Sequence, residues 1–430
     1  MKLPYAVIGA GPMGLCTARQ LKKHGIPFIG IEQHSDVGGL WDISNPHSTV
    51  YETAHLISSK HTTEFAEFPM REDVATYPHH RELRQYFHDY ASHFGLYENY
   101  EFSTKVVWVE PVQDHWSIVT EKNGVHSRRD VAGVLIANGT LHHPLMPALP
   151  GYEGELIHSS QYKSPAQFQG KRVLVVGCGN SACDIAVDAV HHASSVDISV
   201  RRGYYFVPKF ILGKPADTLG GLKLPRRLKQ FLDGIMIRIF MGKPSDYGLP
   251  DPDYKLYESH PVVNSLVLYH LGHGDIHAQG DIEKAEGRTV YFRNGKQADY
   301  DMVLMATGYK LHYPFIDKAQ LNWQGAAPSL YLNVFHPRHD NLFVMGMVEA
   351  TGLGWQGRDE QAEMVALYIK GLQEKKAPAL ALQRNKARLL NESLDGGYAY
   401  LKLDRMAYYV NKDAYRGRVR QHLAELQLQS

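Results

Sequence analysis

Two short tracts in this chain put small residues where a polyphosphate could be gripped. Gly9-Ala10-Gly11-Pro12-Met13-Gly14 follows the apolar run Tyr5-Ala6-Val7-Ile8, and Gly177-Cys178-Gly179-Asn180-Ser181-Ala182 follows Val173-Leu174-Val175-Val176. Both have G-x-G-x-x-G/A spacing. The first two small residues let the backbone turn tightly and approach a pyrophosphate, and the third lets a helix pack close to the strand. That helix aims its free N–H groups at the phosphates. Roughly twenty residues past each turn stands a residue placed to read the ribose. After the first it is Glu32, with Gln33 beside it, and a carboxylate there accepts both hydroxyls of an adenosine ribose. After the second it is the pair Arg201-Arg202, which can fork onto a 2′-phosphate. The chain is thus expected to hold FAD at the first turn and NADPH at the second.

A lone glycine turn is weak evidence, because many are only structural. Here each copy has its strand, its helix and its ribose reader, and the two corroborate each other. Cys178 and Cys183 have the C-x4-C spacing of some flavin disulfide reductases. Both fall within the second turn and its helix, beside the expected phosphates, whereas a redox disulfide must lie against the flavin ring. They are read as packing cysteines.

Composition narrows the class. The chain has 430 residues, 44% hydrophobic and 21% charged, which suits two or three domains of a globular enzyme. With 46 basic and 45 acidic residues the net charge is +1, so there is no electrostatic case for nucleic acid or an anionic membrane. The 24 histidines are scattered without metal-ligand spacing, and no metal is expected. Three cysteines, and a first strand that follows Met1 almost at once, fit a cytoplasmic protein without a signal segment. No apolar run reaches the length of a membrane span.

The elements that must position these residues form an α/β layout with two Rossmann-like, doubly wound dinucleotide-binding domains. Strands Gly133-Val134-Leu135-Ile136 and Met302-Val303-Leu304-Met305 end in small residues, Ala137-Asn138-Gly139 and Ala306-Thr307-Gly308. These ends bracket the second turn and are natural crossover points. The expected division is residues 1–150 for the first part of the FAD domain and 151–315 for an inserted NADPH domain. Residues 316–430 complete the FAD domain and add C-terminal helices. Residues 81–95 have helical periodicity and residues 100–137 look like hairpins. A helix is expected to begin at Asp359-Glu360-Gln361 with its N-terminus toward the flavin.

Within the NADPH domain a helical insertion is expected at about 215–260. Its stripe over residues 221–241 includes Leu222, Leu224, Leu228, Phe231, Leu232, Ile235, Met236, Ile239 and Phe240, with Arg226, Arg227, Lys229 and Arg238 alongside. A membrane-surface helix would read this way, as would a helix packed over a pocket mouth. Near-neutral charge favours packing.

Tyr152-Glu153-Gly154-Glu155-Leu156-Ile157-His158-Ser159-Ser160-Gln161-Tyr162 resembles the F-x-G-x-x-x-H-x-x-x-(F/Y) fingerprint of class B flavoprotein monooxygenases, with Tyr152 as its one departure. Gly38-Gly39-Leu40-Trp41, Gly179-Asn180-Ser181 with Asp184, and Ala306-Thr307-Gly308-Tyr309 extend the likeness to flavin-containing monooxygenases over nearly the whole chain. The resemblance implies that Pro12, Met13, Gly39, Leu40, Trp41, Val106, Ala137 and Gln361 lie with FAD. It implies that Tyr162, Asn180, Ser181, Ala182, Ala306, Thr307 and Gly308 lie with NADPH. His158 is read as a hydrogen bonder that fixes the hinge between domains.

The implied reaction begins with hydride transfer from NADPH to the flavin. Dioxygen then adds at C4a, and the distal oxygen of the hydroperoxide passes to a soft nucleophile such as an amine, a thioether or indole. Small-molecule substrate and O2 are therefore the expected partners, and a homodimer is an open assembly state. One departure concerns the loop beside the flavin. Lys60 aligns with the family, but the usual asparagine position holds Ile57, and Ser58 substitutes only if the loop shifts by one. That raises two rivals, a Baeyer–Villiger ketone oxygenase, which needs a positioned arginine, and an uncoupled NADPH oxidase or redox sensor. Tyr204, Tyr205, Phe206, Trp355, Tyr408 and Tyr409 are candidates for the pocket or the core.

Overall fold

The computed structural model describes residues 3–219 and 224–428. Two five-stranded parallel sheets organise it. The first runs in the order Leu342–Val344, Gly133–Ile136, Tyr5–Ile8, Phe28–Ile31, Tyr100–Glu101. The second runs Ile276–Gln279, Ser195–Ser199, Arg172–Val176, Met302–Met305, Glu155–His158. Every strand of the second sheet comes from between residues 155 and 305. The central strands are unbroken apolar runs because helices and loops cover both faces. Tyr5–Ile8 and Met302–Met305 are buried at every position.

In each sheet a glycine turn leaves the C-terminal end of a strand with neighbours on both sides. Tyr5–Ile8 pairs with Phe28–Ile31 on one flank and Gly133–Ile136 on the other. Arg172–Val176 pairs with Ser195–Ser199 and Met302–Met305 in the same way. Connections to either side diverge there, opening a crevice in which open α/β sheets bind ligands. The helices Pro12–Lys23 and Asn180–Ala189 start at these two points.

The expected helix at 81–95 spans His80–His93, opened by a reciprocal capping box between His79 and Glu82. The expected hairpins are a three-stranded antiparallel sheet, Lys105–Val112, His115–Lys122 and Val125–Val131. A second such sheet, Ile282–Glu286, Thr289–Phe292 and Gln297–Asp299, was not anticipated.

Two expectations need correction. The C-terminal helix is Gly354–Gln373, so it starts five residues before Asp359. The acidic pair that mimics a helix start serves packing instead. Asp359 accepts from Gln20 Nε2 at 2.8 Å, and Glu360 pairs with Arg416 and Arg420. The insertion helix is Arg226–Met241, with Leu222 outside the described residues; one side lines the cleft as expected, but much of the apolar stripe is left exposed. Only Met241 is buried, while Phe231 and Ile239 are 64% and 69% exposed. At 100° per residue, Leu228, Phe231, Leu232, Ile235 and Ile239 share one outward face. Lys229, Asp233, Met236 and Ile237 are on the other side, along the wall of an interior cleft.

Candidate functional site

A cleft of about 3140 Å³ runs between the two sheets and reaches both glycine turns. The two turns have the same geometry. Gly9 has φ +108° and Gly177 φ +120°, a region that L side chains rarely adopt. A Cβ at Gly9 would sit 2.6 Å from the Ala137 carbonyl oxygen, and one at Gly177 would sit 2.5 Å from that of Ala306. Ala137 and Ala306 thus play one structural part in the two halves, each at the end of the strand beside the turn. At Gly14 a Cβ would fall 1.9 Å from the Gly9 carbonyl, so helix and turn pack in contact. In the second turn Ala182 fills this place and is buried.

The turns fit dinucleotide phosphates on two counts. The residues capping the two helices, Gly11 and Gly179, make no side-chain cap bond, so first-turn N–H groups are free to face the cleft. A Cβ at Gly179 would meet nothing within 4 Å, which leaves a phosphate-sized approach to the backbone. Asn180 and Ser181 line the cleft at this point, and Asn180 Oδ1 accepts from Val263 N at 2.7 Å.

The residues expected to read the two riboses sit in different surroundings. Glu32 is buried, accepting from Ala10 N at 2.6 Å and His34 N at 2.7 Å, while burial pushes its pKa up. Each carboxylate oxygen keeps a lone pair for a ribose hydroxyl. Gln33 beside it is exposed. Arg201 is exposed, lines the cleft and has no partner among the described residues. Arg202 also lines the cleft, but its Nε donates to Asp253 at 2.8 Å and its guanidinium lies 5.5 Å over the Tyr254 ring.

At the end of the cleft beside the first glycine turn the wall includes Pro12, Met13, Leu40, Trp41, Ile57 and Ser58. Gly39 backs this wall, close enough to the first turn that a Cβ on it would meet the Gly11 Cα at 2.8 Å. Ser58 Oγ pairs with Thr63 Oγ1 at 2.7 Å. Lys60, expected beside them, is turned away. Its buried Nζ donates to the carbonyls of Arg71, Glu72 and Val74 at 3.0, 3.0 and 2.7 Å, because a buried ammonium must satisfy its three protons. Val106, Ala137 and Gln361 are buried and do not line the cleft. Gln361 accepts from Gly346 N at 2.8 Å and so holds the backbone beside Met13.

Ala306, Thr307 and Gly308 line the cleft beside the second turn. Tyr162 does not reach it. Fully buried, it donates to Asp188 at 2.8 Å and stacks on Phe168 at 5.0 Å, an apolar ring with its hydroxyl satisfied inside the core. His158 ties the ends of two neighbouring strands of the second sheet. Its Nδ1 accepts from Ser160 N at 3.1 Å and its Nε2 donates to Gly308 O at 3.0 Å, with burial lowering its pKa. Cys178 and Cys183 are buried free thiols. Of the aromatic candidates, Tyr204, Trp355, Tyr408 and Tyr409 line the cleft, whereas Phe206 is buried in the core and Tyr205 bonds to Tyr254.

Three cleft residues escaped the sequence reading. Glu349 is raised in pKa by burial, Arg358 donates to Gly354 O and Val348 O, and Asp217 reaches across the cleft from the insertion. None carries a local motif: Glu349 and Asp217 act through partners distant in sequence, and Arg358 bonds only backbone carbonyls. Among the described residues no group of three or more His, Cys, Asp or Glu could hold a metal, and no helix is long and apolar enough to cross a membrane.

The flavin-binding monooxygenase-like family model matches residues 2–411. Flavin-containing monooxygenase 5 of Oryctolagus cuniculus is 29% identical over 392 residues, covering 85% of this chain and 73% of its own. The structure of S-allyl-L-cysteine S-oxygenase from Allium sativum superposes with a TM-score of 0.69 at 19% identity, over 99% of this chain and 89% of that one. OTEMO in complex with FAD and NADP gives a TM-score of 0.72 at 18% identity, over 98% of each chain. With two dinucleotide turns facing one cleft, the chain belongs to the flavin-binding monooxygenase-like family and is an FAD-dependent oxidoreductase that uses NADPH and dioxygen.

Proposed function

We propose that this enzyme oxygenates small molecules at a soft nitrogen or sulfur, with FAD gripped at the first glycine turn and NADPH at the second. The reading is carried by the wall where the flavin ring would lie. Met13, Leu40, Trp41 and Ile57 make it largely apolar. When bound and reduced, the flavin supplies the activation of dioxygen, and the protein is left with binding, orientation and exclusion of water. Gly179 and the first turn of its helix hold the NADPH pyrophosphate, and Arg201 takes the 2′-phosphate. Glu32 takes the adenosine ribose of FAD. Tertiary amines and thioethers suit such a site because they need no proton transfer from the protein. Buried free thiols at Cys16, Cys178 and Cys183 suit a reducing cytoplasm.

Arg358 is the arginine that bears on ketone oxygenation, since it lines the cleft. Two of its five N–H groups are given to backbone carbonyls at 3.0 and 3.2 Å, which fixes the guanidinium to the start of its own helix. Ile57 on the wall supports a second reading, an NADPH oxidase that releases hydrogen peroxide, because its side chain offers no amide donor. Following NADPH, peroxide and product with a thioether, a tertiary amine and a cyclic ketone decides among these. N- or S-oxide formed in step with NADPH supports oxygenation. Stoichiometric peroxide with every substrate supports the oxidase.

A further inference from the structure

The turn at residues 58–63, whose Ser58 forms part of the wall, is held from three sides. Lys60 fastens it to residues 71–74. Behind it, the start of helix Gly354–Gln373 comes so close that a Cβ at Gly354 would lie 2.4 Å from the Thr62 carbonyl oxygen. The third hold crosses from the other dinucleotide-binding half. Asp217, in the single turn Ala216–Thr218, accepts from Ser59 N–H at 2.7 Å and from Thr62 Oγ1–H at 2.7 Å, both on Oδ2. The Thr62 hydroxyl has one proton, and its other acceptor, the Ser59 carbonyl, is farther away at 3.1 Å.

Ser59 caps the short helix Lys60–Thr63, yet its own side chain makes no cap bond. Asp217 instead accepts the backbone N–H of Ser59 itself and brings the negative charge that a helix start favours. The same segment is pinned again nearby. Tyr77 donates its hydroxyl to the Lys209 carbonyl, its ring meets Phe210 edge-on at 5.2 Å, and Lys209 Nζ lies 5.2 Å from the ring centre. Residues 209–217 therefore form a strap from the NADPH side to the flavin-side wall.

We infer that Asp217 is a positioning residue for the oxygenation reaction: through Ser59 and Thr62 it holds the Ile57–Ser58 wall in place while the NADPH-binding half is docked. Lys60 and Gly354 belong to the same half as the wall and hold it in any arrangement. Asp217 alone among the three makes the wall depend on the partner half. Because it is exposed, its contact can break and re-form. When the contact is broken, water reaches the flavin end, and turnovers convert NADPH, a proton and dioxygen to NADP⁺ and hydrogen peroxide without oxygenating substrate.

The test uses the FAD-loaded enzyme with Asp217→Ala, Asp217→Asn and Thr62→Val, reading two quantities. One is the share of NADPH recovered as hydrogen peroxide with a good substrate present. The other is the change in the flavin absorption spectrum when NADP⁺ is added. In Asp217→Ala the peroxide share rises about threefold or more as water enters, and the NADP⁺-induced change shrinks. Asp217→Asn retains an acceptor oxygen and recovers most of both, and Thr62→Val, which keeps the Ser59 contact, falls between. An alanine variant that matches the parent in both readouts overturns the inference, as does one altered only in melting temperature. The inference rests on the oxygenation reading. Product formation by the parent tests that reading, and the differences among variants test this one.

Discussion

Replacing Arg201 with alanine gives a sharp prediction, because the two neighbouring arginines are engaged so differently. Arg201 is exposed on the cleft without a partner, free to fork onto a 2′-phosphate. Hydrogen bonds to charged groups contribute about 1.5–3 kcal/mol. At about 1.4 kcal/mol per decade this is a 10- to 100-fold weakening of NADPH binding. Screening at physiological salt pulls the expectation toward the lower end, about tenfold. Arg202 is tied to Asp253 in a pair whose side chains are 33% and 65% exposed, and such pairs are worth about 0–1 kcal/mol. Arg202→Ala should therefore weaken NADPH by at most about fivefold. Stopped-flow bleaching of the flavin against NADPH and NADH concentration measures both. NADH lacks the phosphate, so its constants should not change in Arg201→Ala. Equal losses for the two nucleotides, or a larger effect at Arg202, would refute the phosphate role.

Other residues give predictions with different readouts. Lys60→Met strands three carbonyls, so it should lower stability by about 2–4 kcal/mol in chemical denaturation. Asp359 is pushed up to about 7, chiefly by burial, so the folded state holds its proton longer than the unfolded chain does. Its contribution is therefore most favourable below the unfolded value near 4 and is lost as pH rises toward 7. Asp359→Asn should gain melting temperature relative to the parent between pH 5 and 8, and a gap independent of pH would contradict the shift. Phe231→Glu, on the outward face of helix Arg226–Met241, should change stability by no more than about 0.5 kcal/mol, because little packing is lost.

What could be read in advance was whatever chemistry is local in sequence. The glycine turns, Glu32 and the arginine pair announce themselves because strand, turn and helix are contiguous, and the parallel sheets follow from unbroken apolar runs such as Val173-Leu174-Val175-Val176. Long-range partners left no such trace. Lys60 looks like a cofactor contact until the carbonyls of residues 71–74 appear beneath it. Tyr162 ends a recognisable fingerprint, yet its ring is needed in the core against Phe168. The acidic run at residues 359–360 resembles a helix start, but its charges answer Gln20 and Arg416 from elsewhere in the chain. The stripe at 226–241 has helical period without a partner to cover it, and periodicity alone does not say which side faces solvent. Asp217 was invisible because its partners lie some 155 residues away.

The central claim is that two nucleotides are held by two separable turns that face one another. It is tested most directly by the visible spectrum of the purified enzyme and of two valine variants, before and after NADPH is added without oxygen. The parent should show flavin bands that NADPH bleaches. Gly9→Val should be colourless, and Gly177→Val should stay yellow but resist bleaching by NADPH while dithionite still reduces it. A parent that is colourless and cannot be reconstituted with FAD, or a Gly177→Val enzyme bleached by NADPH as readily as the parent, would contradict the account.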